Sequence, residues 1–321
     1  MVKKIFFLLF VLMGGARGLT LFEFLGGQKV GTTTMAFLKI PVGAKQGGLG
    51  ETGVAIANDA TCIYWNPSSI SFIPSKISSS FFTQKWIGDT YYSYAGFSYQ
   101  IEKYTTVGVM AGNLHSGYIQ RTDEYHPFGL GTYFRTSSTY AGITVARKLI
   151  DRFAFGLNLK YMTEALDDYS QYTAAIDLGT YYLVGYRDIA LGISIANIGP
   201  DPKVIGPDPL ESPASFSLPV IYRLGVYGSP LNNFYLSLQL DKSTDNVEIF
   251  RVGAEYLLRE VLALRVGYKL NSNIPGEYSG ITGGIGISRS LGFRKDIHVD
   301  YSVSFLGYAG IVHKGQVGVN F

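Results

Sequence analysis

His298 stands between Asp296 and Asp300 at alternate positions, a spacing that puts all three side chains on one face of a β-strand. Such a trio is raw material for an acid–base pair or a metal site, and equally for a hydrated polar network inside a barrel, which takes such residues readily. The remaining histidines, His115, His126 and His313, form no H-E-x-x-H. Cys62 is the single cysteine, so there is no C-x-x-C, and no G-x-S-x-G elbow occurs. Nothing here marks a catalytic residue, a cofactor site or a metal site, and the chain reads as non-enzymatic.

A second set of charges falls on the same kind of face: Arg223, Arg251, Glu255, Arg265 and Lys269, joined by Asp296 and Asp300. They read either as a polar conduit, or a latch for a plug, or as charges that neutralise one another in a filled lumen. The mixture of signs favours mutual neutralisation, because an unpaired buried charge is costly.

The elements that carry these residues alternate with a period of two. Leu236, Leu238 and Leu240 alternate with Ser237, Gln239 and Asp241; Leu262, Leu264, Val266, Tyr268 and Leu270 alternate with Ala263, Arg265, Gly267 and Lys269. Phe153, Phe155, Leu157, Leu159 and Tyr161 against Ala154, Gly156, Asn158 and Lys160 repeats the pattern. One face of each run is apolar, the other polar, charged or Gly, and each run is as long as a tilted membrane-crossing strand of roughly 9–11 residues. The apolar faces are expected to meet lipid and the polar faces to line a closed barrel.

Composition agrees. The chain of 321 residues has 39 Gly, 24 Tyr and 20 Phe and only 16% charged residues, a thin charged surface beside the globular norm of about 25%. Lys3 and Lys4, an apolar run over 5–13, and the small residues Ala16 and Gly18 read as an export signal over residues 1–18. Its removal takes Lys3, Lys4 and Arg17 and leaves as many basic as acidic residues, which argues against a nucleic-acid partner. No later segment is apolar for the roughly 18 residues that a helical span requires, so an exported chain of this kind crosses a membrane only as a barrel.

Residues 19–75 are Gly-dense with weak alternation and read as a compact N-terminal plug or hatch; residues 76–321 read as a transmembrane antiparallel β-barrel of about 14 strands. Tight links at 102–103, 148–151, 185–186, 228–231 and 258–259 alternate with longer ones at 122–131, 165–169, 198–217 and 271–278. That is the arrangement of short periplasmic turns and longer outer loops in the outer membrane of a Gram-negative bacterium. The longest link repeats Gly-Pro-Asp-Pro at 199–202 and 206–209, which predicts a stiff, extended loop. Terminal Phe321 after Val317 and Val319 reads as the signal that barrel-assembly machinery recognises, since a bare apolar strand end is a hazard in water.

Phe37 to Ile40, Gly43-Ala44, Gly47-Gly48-Leu49-Gly50, Asn58-Asp59-Ala60-Thr61 and Tyr64-Trp65-Asn66-Pro67 together resemble the PorV/PorQ family of outer-membrane proteins, itself related in fold to the FadL fatty-acid transporters. Ser68-Ser69 departs from the family's frequent Ala-Gly. The resemblance implies a 14-stranded barrel plugged by its N-terminal segment, with Asn58, Asp59, Ala60, Tyr64, Trp65, Asn66 and Pro67 as the plug motif. It also implies a protein-binding role in type IX-like secretion or surface attachment, with a translocon and cargo proteins as partners beside outer-membrane lipid and the assembly machinery. The alternative is a FadL-like channel for long-chain fatty acids or other hydrophobic small molecules. It ranks second here because it requires an apolar pocket, whereas the inner faces of these registers are polar or Gly.

Overall fold

The computed structural model describes residues 31–206, 216–270, 279–290 and 296–321. The expected export signal, the first part of the expected plug up to residue 30, the 271–278 link and the second Gly-Pro-Asp-Pro block beyond Gly206 lie outside the described residues. Among the described residues, fourteen strands close into one antiparallel barrel. They are β1 (Ile77–Lys85), β2 (Thr90–Glu102), β3 (Thr105–Ser116), β4 (Thr136–Ile150), β5 (Phe153–Leu166), β6 (Tyr169–Leu183) and β7 (Ala190–Ile198) in the first half. The second half is β8 (Ile221–Leu231), β9 (Phe234–Ser243), β10 (Ile249–Leu258), β11 (Leu262–Leu270), β12 (Ile281–Ser290), β13 (Asp296–Phe305) and β14 (Ile311–Asn320). Each strand pairs with its sequence neighbours, and β14 returns to β1 from Ser78↔Asn320 to Lys85↔His313. Phe321 completes the seam by exchanging backbone hydrogen bonds with Ile77. Among the described residues no open sheet edge remains on the barrel wall, which is what hydrocarbon demands of backbone N–H and C=O groups.

The wall is inverted relative to a soluble protein. Leu157, Leu159 and Tyr161 on β5 are 41%, 55% and 54% exposed, while Asn158 and Lys160 between them are 0% and 5% exposed. The same holds for Leu236 and Leu238 against Ser237 and Gln239, and for Val266 and Tyr268 against Gly267 and Lys269. A lipid-facing side chain at mid-strand therefore has a testable cost. Ile143→Arg, at the centre of β4 where Ile143 is 65% exposed, is expected to destabilise the barrel by about 2–4 kcal/mol, measured by urea titration in lipid vesicles. Tyr125→Arg in the exposed link before β4 is expected to leave stability unchanged.

The links differ from expectation in three places. The 165–169 link, expected to be long, is only Asp167-Asp168, because β5 and β6 continue pairing as far as Leu166↔Tyr169 and Asp167 turns the chain with φ 57. The link expected at 122–131 begins earlier, because β3 ends at Ser116, and Ile119–Gln120 pairs with Tyr133–Phe134 as a small separate hairpin. The Pro-rich link is not purely an extended coil: Lys203–Ile205 adds antiparallel to β6 opposite Ser170 to Tyr172. The turns after β2, β4, β6, β8 and β10 share one end of the barrel with Ile77 and Phe321, and the longer links share the other. These are called the inner and outer ends below.

Residues 33–73 lie within this wall. They form a 3-10 turn (Ala36–Lys39), α1 (Ala44–Gly48), α2 (Cys62–Trp65) and a second 3-10 turn (Pro67–Phe72). The segment starts at the outer end, where Thr34 N–H donates to Ser217 O and Thr33 bonds to Asp245. It leaves at the inner end into β1. Phe37, Leu38, Val42, Ile63 and Trp65 form a hydrophobic core with inward side chains of β1–β5, among them Phe82, Tyr92, Tyr94, Tyr140 and Met162. The opposite side of the segment meets the charged strands.

Candidate functional site

The block 58–67 is held by its own polar atoms. Asp59 accepts from Thr61 N–H (2.7 Å), from Thr61 Oγ1 (2.5 Å) and from Gln316 Nε2 (2.9 Å), and lies 3.2 Å from His298 Nε2. Burial alone would raise the Asp59 carboxyl; the adjacent His298 imidazole and the hydrogen bonds from Thr61 outweigh this and hold it well below the ordinary range. Asn58 Nδ2 donates to Asp59 (2.8 Å), and Ala60 O accepts from Tyr94 OH (2.9 Å). Asn66 Nδ2 donates to Val54 O and Thr180 O, while its Oδ1 accepts from Ser68 N–H and Oγ, capping the turn that begins at Pro67. Ser68, where the resemblance departs from its pattern, therefore supplies two of the four side-chain bonds of Asn66. Trp65 Nε1 donates to Val42 O and Tyr64 OH to Leu38 O, so both rings are buried without an orphaned polar tip.

Five of the seven expected lumen charges fall into two clusters, while Arg223 joins neither and Asp296 is exposed. In the first, Glu51 on the inner segment receives Arg251 Nη1 (2.7 Å), Lys314 Nζ (2.9 Å) and Lys269 Nζ (3.1 Å), from three different strands, and Asp241 meets Arg251 at 2.9 Å. In the second, Arg265 pairs with Glu255 (2.5 Å) and with Asp300, and Lys45 of α1 reaches Glu255 at 3.3 Å. The expected trio is divided. His298 turns to Asp59 and Asp300 to Arg265, whereas Asp296 is exposed at the inner end. Among the described residues no group of three or more His, Cys, Asp or Glu is placed to hold a metal ion.

Sequence reasoning passed over Glu51, Lys45, Asp241 and Lys314, and a further buried pair, Lys160 with Asp177 at 2.8 Å, where Lys160 also bonds Asn197. Lys160 and Asp241 were visible on polar faces as single letters. The signal that points to them is arithmetic: a set of inward cations in a filled lumen calls for inward acids to balance it. Glu51 had no such signal, since it sits in a Gly-rich run without periodicity.

Among the described residues, two of the cavities lie at opposite ends of the inner segment. The outer one, 340 Å³, is walled by Pro41, Trp86, Ile87, Ile221, Val247 and Leu306, and Glu51, Arg223, Arg251 and Lys269 also line it. The inner one, 310 Å³, is lined by Lys45, Tyr227, Glu255, Arg265, His298 and Asp300. The apolar surface of the outer cavity comes from loops and from the inner segment as much as from strands.

No protein-family model matches the chain, and no curated protein matches it either. Among solved structures, the Pseudomonas putida toluene transporter TodX superposes with a TM-score of 0.60 at 12% identity, covering 91% of this chain and 98% of that one. The Ralstonia pickettii toluene transporter TbuX gives 0.58 at 12% identity over 87% and 97%. A Pseudomonas aeruginosa FadL homologue gives 0.54 at 12% identity over 92% and 98%. The fold is FadL-like.

That result corrects the first functional expectation. A protein-binding role in secretion, drawn from the PorV/PorQ resemblance, is overturned, because the solved barrels on which this fold superposes include two toluene transporters and a monoaromatic hydrocarbon channel. The physical argument that ranked such a channel second also fails. It looked for apolar surface on inward strand faces alone, whereas Pro41 and Trp65 come from the inner segment and Trp86, Val247 and Leu306 from the outer links. The inward faces are themselves not all polar: β1–β5 direct Phe82, Tyr92, Tyr94, Met110, Tyr140 and Met162 inside.

Proposed function

We propose that the protein is a gated, non-enzymatic channel for hydrophobic small molecules in the outer membrane of a Gram-negative bacterium. On this reading residues 1–18 are removed on export, residues 19–75 act as the gate, residues 76–321 form the conduit wall, and Phe321 is read by the assembly machinery. One observation carries it: the apolar cavity at the outer end is separated from the polar cavity at the inner end by an internal segment seated through ion pairs. An apolar pocket with a few convergent polar groups is the form of a small-molecule site, and a movable seal beneath it turns binding into passage. Support comes also from the FadL-like fold, which hydrocarbon channels share.

The test is flux into proteoliposomes containing the full barrel, against a panel of toluene, 4-ethylbenzoate, a long-chain fatty acid and the hydrophilic solute glycine. Entry of at least one hydrophobic solute well above protein-free liposomes, with glycine excluded, is the expected result. Equal exclusion of all four, or free entry of glycine, contradicts the reading.

A further inference from the structure

Arg223 on β8 is 4% exposed, yet its Nε and Nη1 meet no acceptor among the described residues. The two acids that line the same cavity, Glu51 and Asp241, are engaged elsewhere, as is Asp245. Asp241, its cross-strand neighbour on β9, is held by Arg251 Nε and Gln239 Nε2; Glu51 is held by Arg251, Lys269 and Lys314; Asp245 is held by Lys39. The guanidinium is instead flanked by ring faces, 5.2 Å from the Tyr64 centroid and 5.3 Å from that of Trp65. Cation–π contact offsets part of the cost of burying the charge but leaves Nε and Nη1, whose N–H groups lie in the guanidinium plane, without an acceptor among the described residues. The same side chain lines the apolar outer cavity.

We propose that the outer cavity takes an aryl carboxylate, its ring against the apolar wall and its carboxylate on Arg223. A guanidinium presents planar N–H donors that match a carboxylate, and a desolvated, unpaired cation gains most from an anion that arrives with its own apolar cover. The size of the cavity selects the rest of the ligand. At 340 Å³ it stands near the lower end of the roughly 300–1,000 Å³ span of ligand sites, which suits one ring with a short substituent better than a long acyl chain. Trp86 and Trp65 in the lining supply flat apolar surface for such a ring. The inference rests on the channel reading and narrows its substrate: the carboxylate distinguishes this site from one built for a neutral ring.

The protein supplies its own probe, because its two tryptophans, Trp65 and Trp86, both line the cavity. Tryptophan fluorescence of the full refolded barrel in lipid vesicles is titrated with 4-ethylbenzoate, with the neutral isostere 4-ethylbenzamide, and with palmitate. The wild type is expected to bind the benzoate at least tenfold more tightly than the amide and more tightly than palmitate. Arg223→Gln is expected to abolish the preference over the amide, and Arg223→Lys, which keeps the charge, to retain part of it. Equal binding of benzoate and amide by the wild type overturns the proposal even if Arg223→Gln fails to fold, as does a preference that survives in folded Arg223→Gln. Tighter binding of palmitate overturns the size argument. Toluene flux with no carboxylate preference sinks this inference alone, whereas loss of all flux sinks the channel reading.

Discussion

Glu51→Gln unseats the inner segment and makes the barrel leak. Arg251 on β10, Lys269 on β11 and Lys314 on β14 converge on this one carboxylate. Without it, Lys269 and Lys314 lose the acid they pair with and Arg251 keeps only Asp241. Removing one partner of a buried ion pair costs about 3–5 kcal/mol, because the survivors remain desolvated and unpaired. The backbone adds to the effect: Glu51 sits at φ 62, a left-handed conformation uncommon outside Gly, which the ion pairs help to hold. In planar bilayers the wild type is expected to stay closed and Glu51→Gln to show frequent openings, with a lower urea midpoint in vesicles. The triple variant Glu51→Gln, Lys269→Met, Lys314→Met leaves only the balanced Arg251–Asp241 pair, and is expected to recover stability while remaining leaky. A silent Glu51→Gln trace contradicts the latch.

The same cluster sets the response to acid. Burial alone would raise the Glu51 carboxyl above its ordinary value of 4.5, but the charges of Lys269, Lys314 and Arg251 outweigh burial and hold it well below. A carboxyl depressed by folding contributes stability that is complete above its ordinary value and is lost only as pH falls through the lower folded value. Acidification from neutral pH to 4.5 is therefore expected to leave the wild-type barrel closed.

How much of this was legible follows from where periodicity operates. A wall strand has one partner on each side and one environment on each face, so Leu157-Asn158-Leu159-Lys160 states its own orientation, and the barrel could be read from such runs. Inward aromatics break the rule. In Tyr91-Tyr92-Ser93-Tyr94 the exposed Tyr91 and the buried Tyr92 are the same residue type, and only the inner segment packed behind Tyr92 and Tyr94 distinguishes the faces. The candidate site lies further from local sequence. Arg223 was readable as an inward charge, but its lack of a counter-ion depends on Asp241 turning to Arg251, a choice made across three strands. Trp86 and Leu306 reach the cavity from links, whose positions no period of two encodes.

Gly267→Ala is expected to dislodge the segment from the opposite direction, by steric force alone. Gly267 on β11 and Gly253 on β10 are cross-strand neighbours, and they make a flat place on the wall where the backbone of Leu49 and Gly50 lies. A Cβ on Gly267 falls 1.9 Å from Gly50 N and 2.4 Å from the Leu49 carbonyl carbon. Neither is a side-chain end that can swing away, and Gly50 is further pinned by its N–H bond to Thr282 Oγ1 at 2.9 Å. Either the wall or the segment must shift, at a cost of about 1–3 kcal/mol for overpacking of this kind. Gly315→Ala on β14, where an added Cβ meets nothing within 4 Å, is the matched control and should behave as wild type. Because Gly50 immediately precedes Glu51, displacing one displaces the other, so Gly267→Ala should leak as Glu51→Gln does. The double variant should then be destabilised by less than the sum of the two, as coupled neighbours are. Full additivity in the urea midpoints would place the glycine seat and the carboxylate latch in independent parts of the molecule, and the gate would need another hinge.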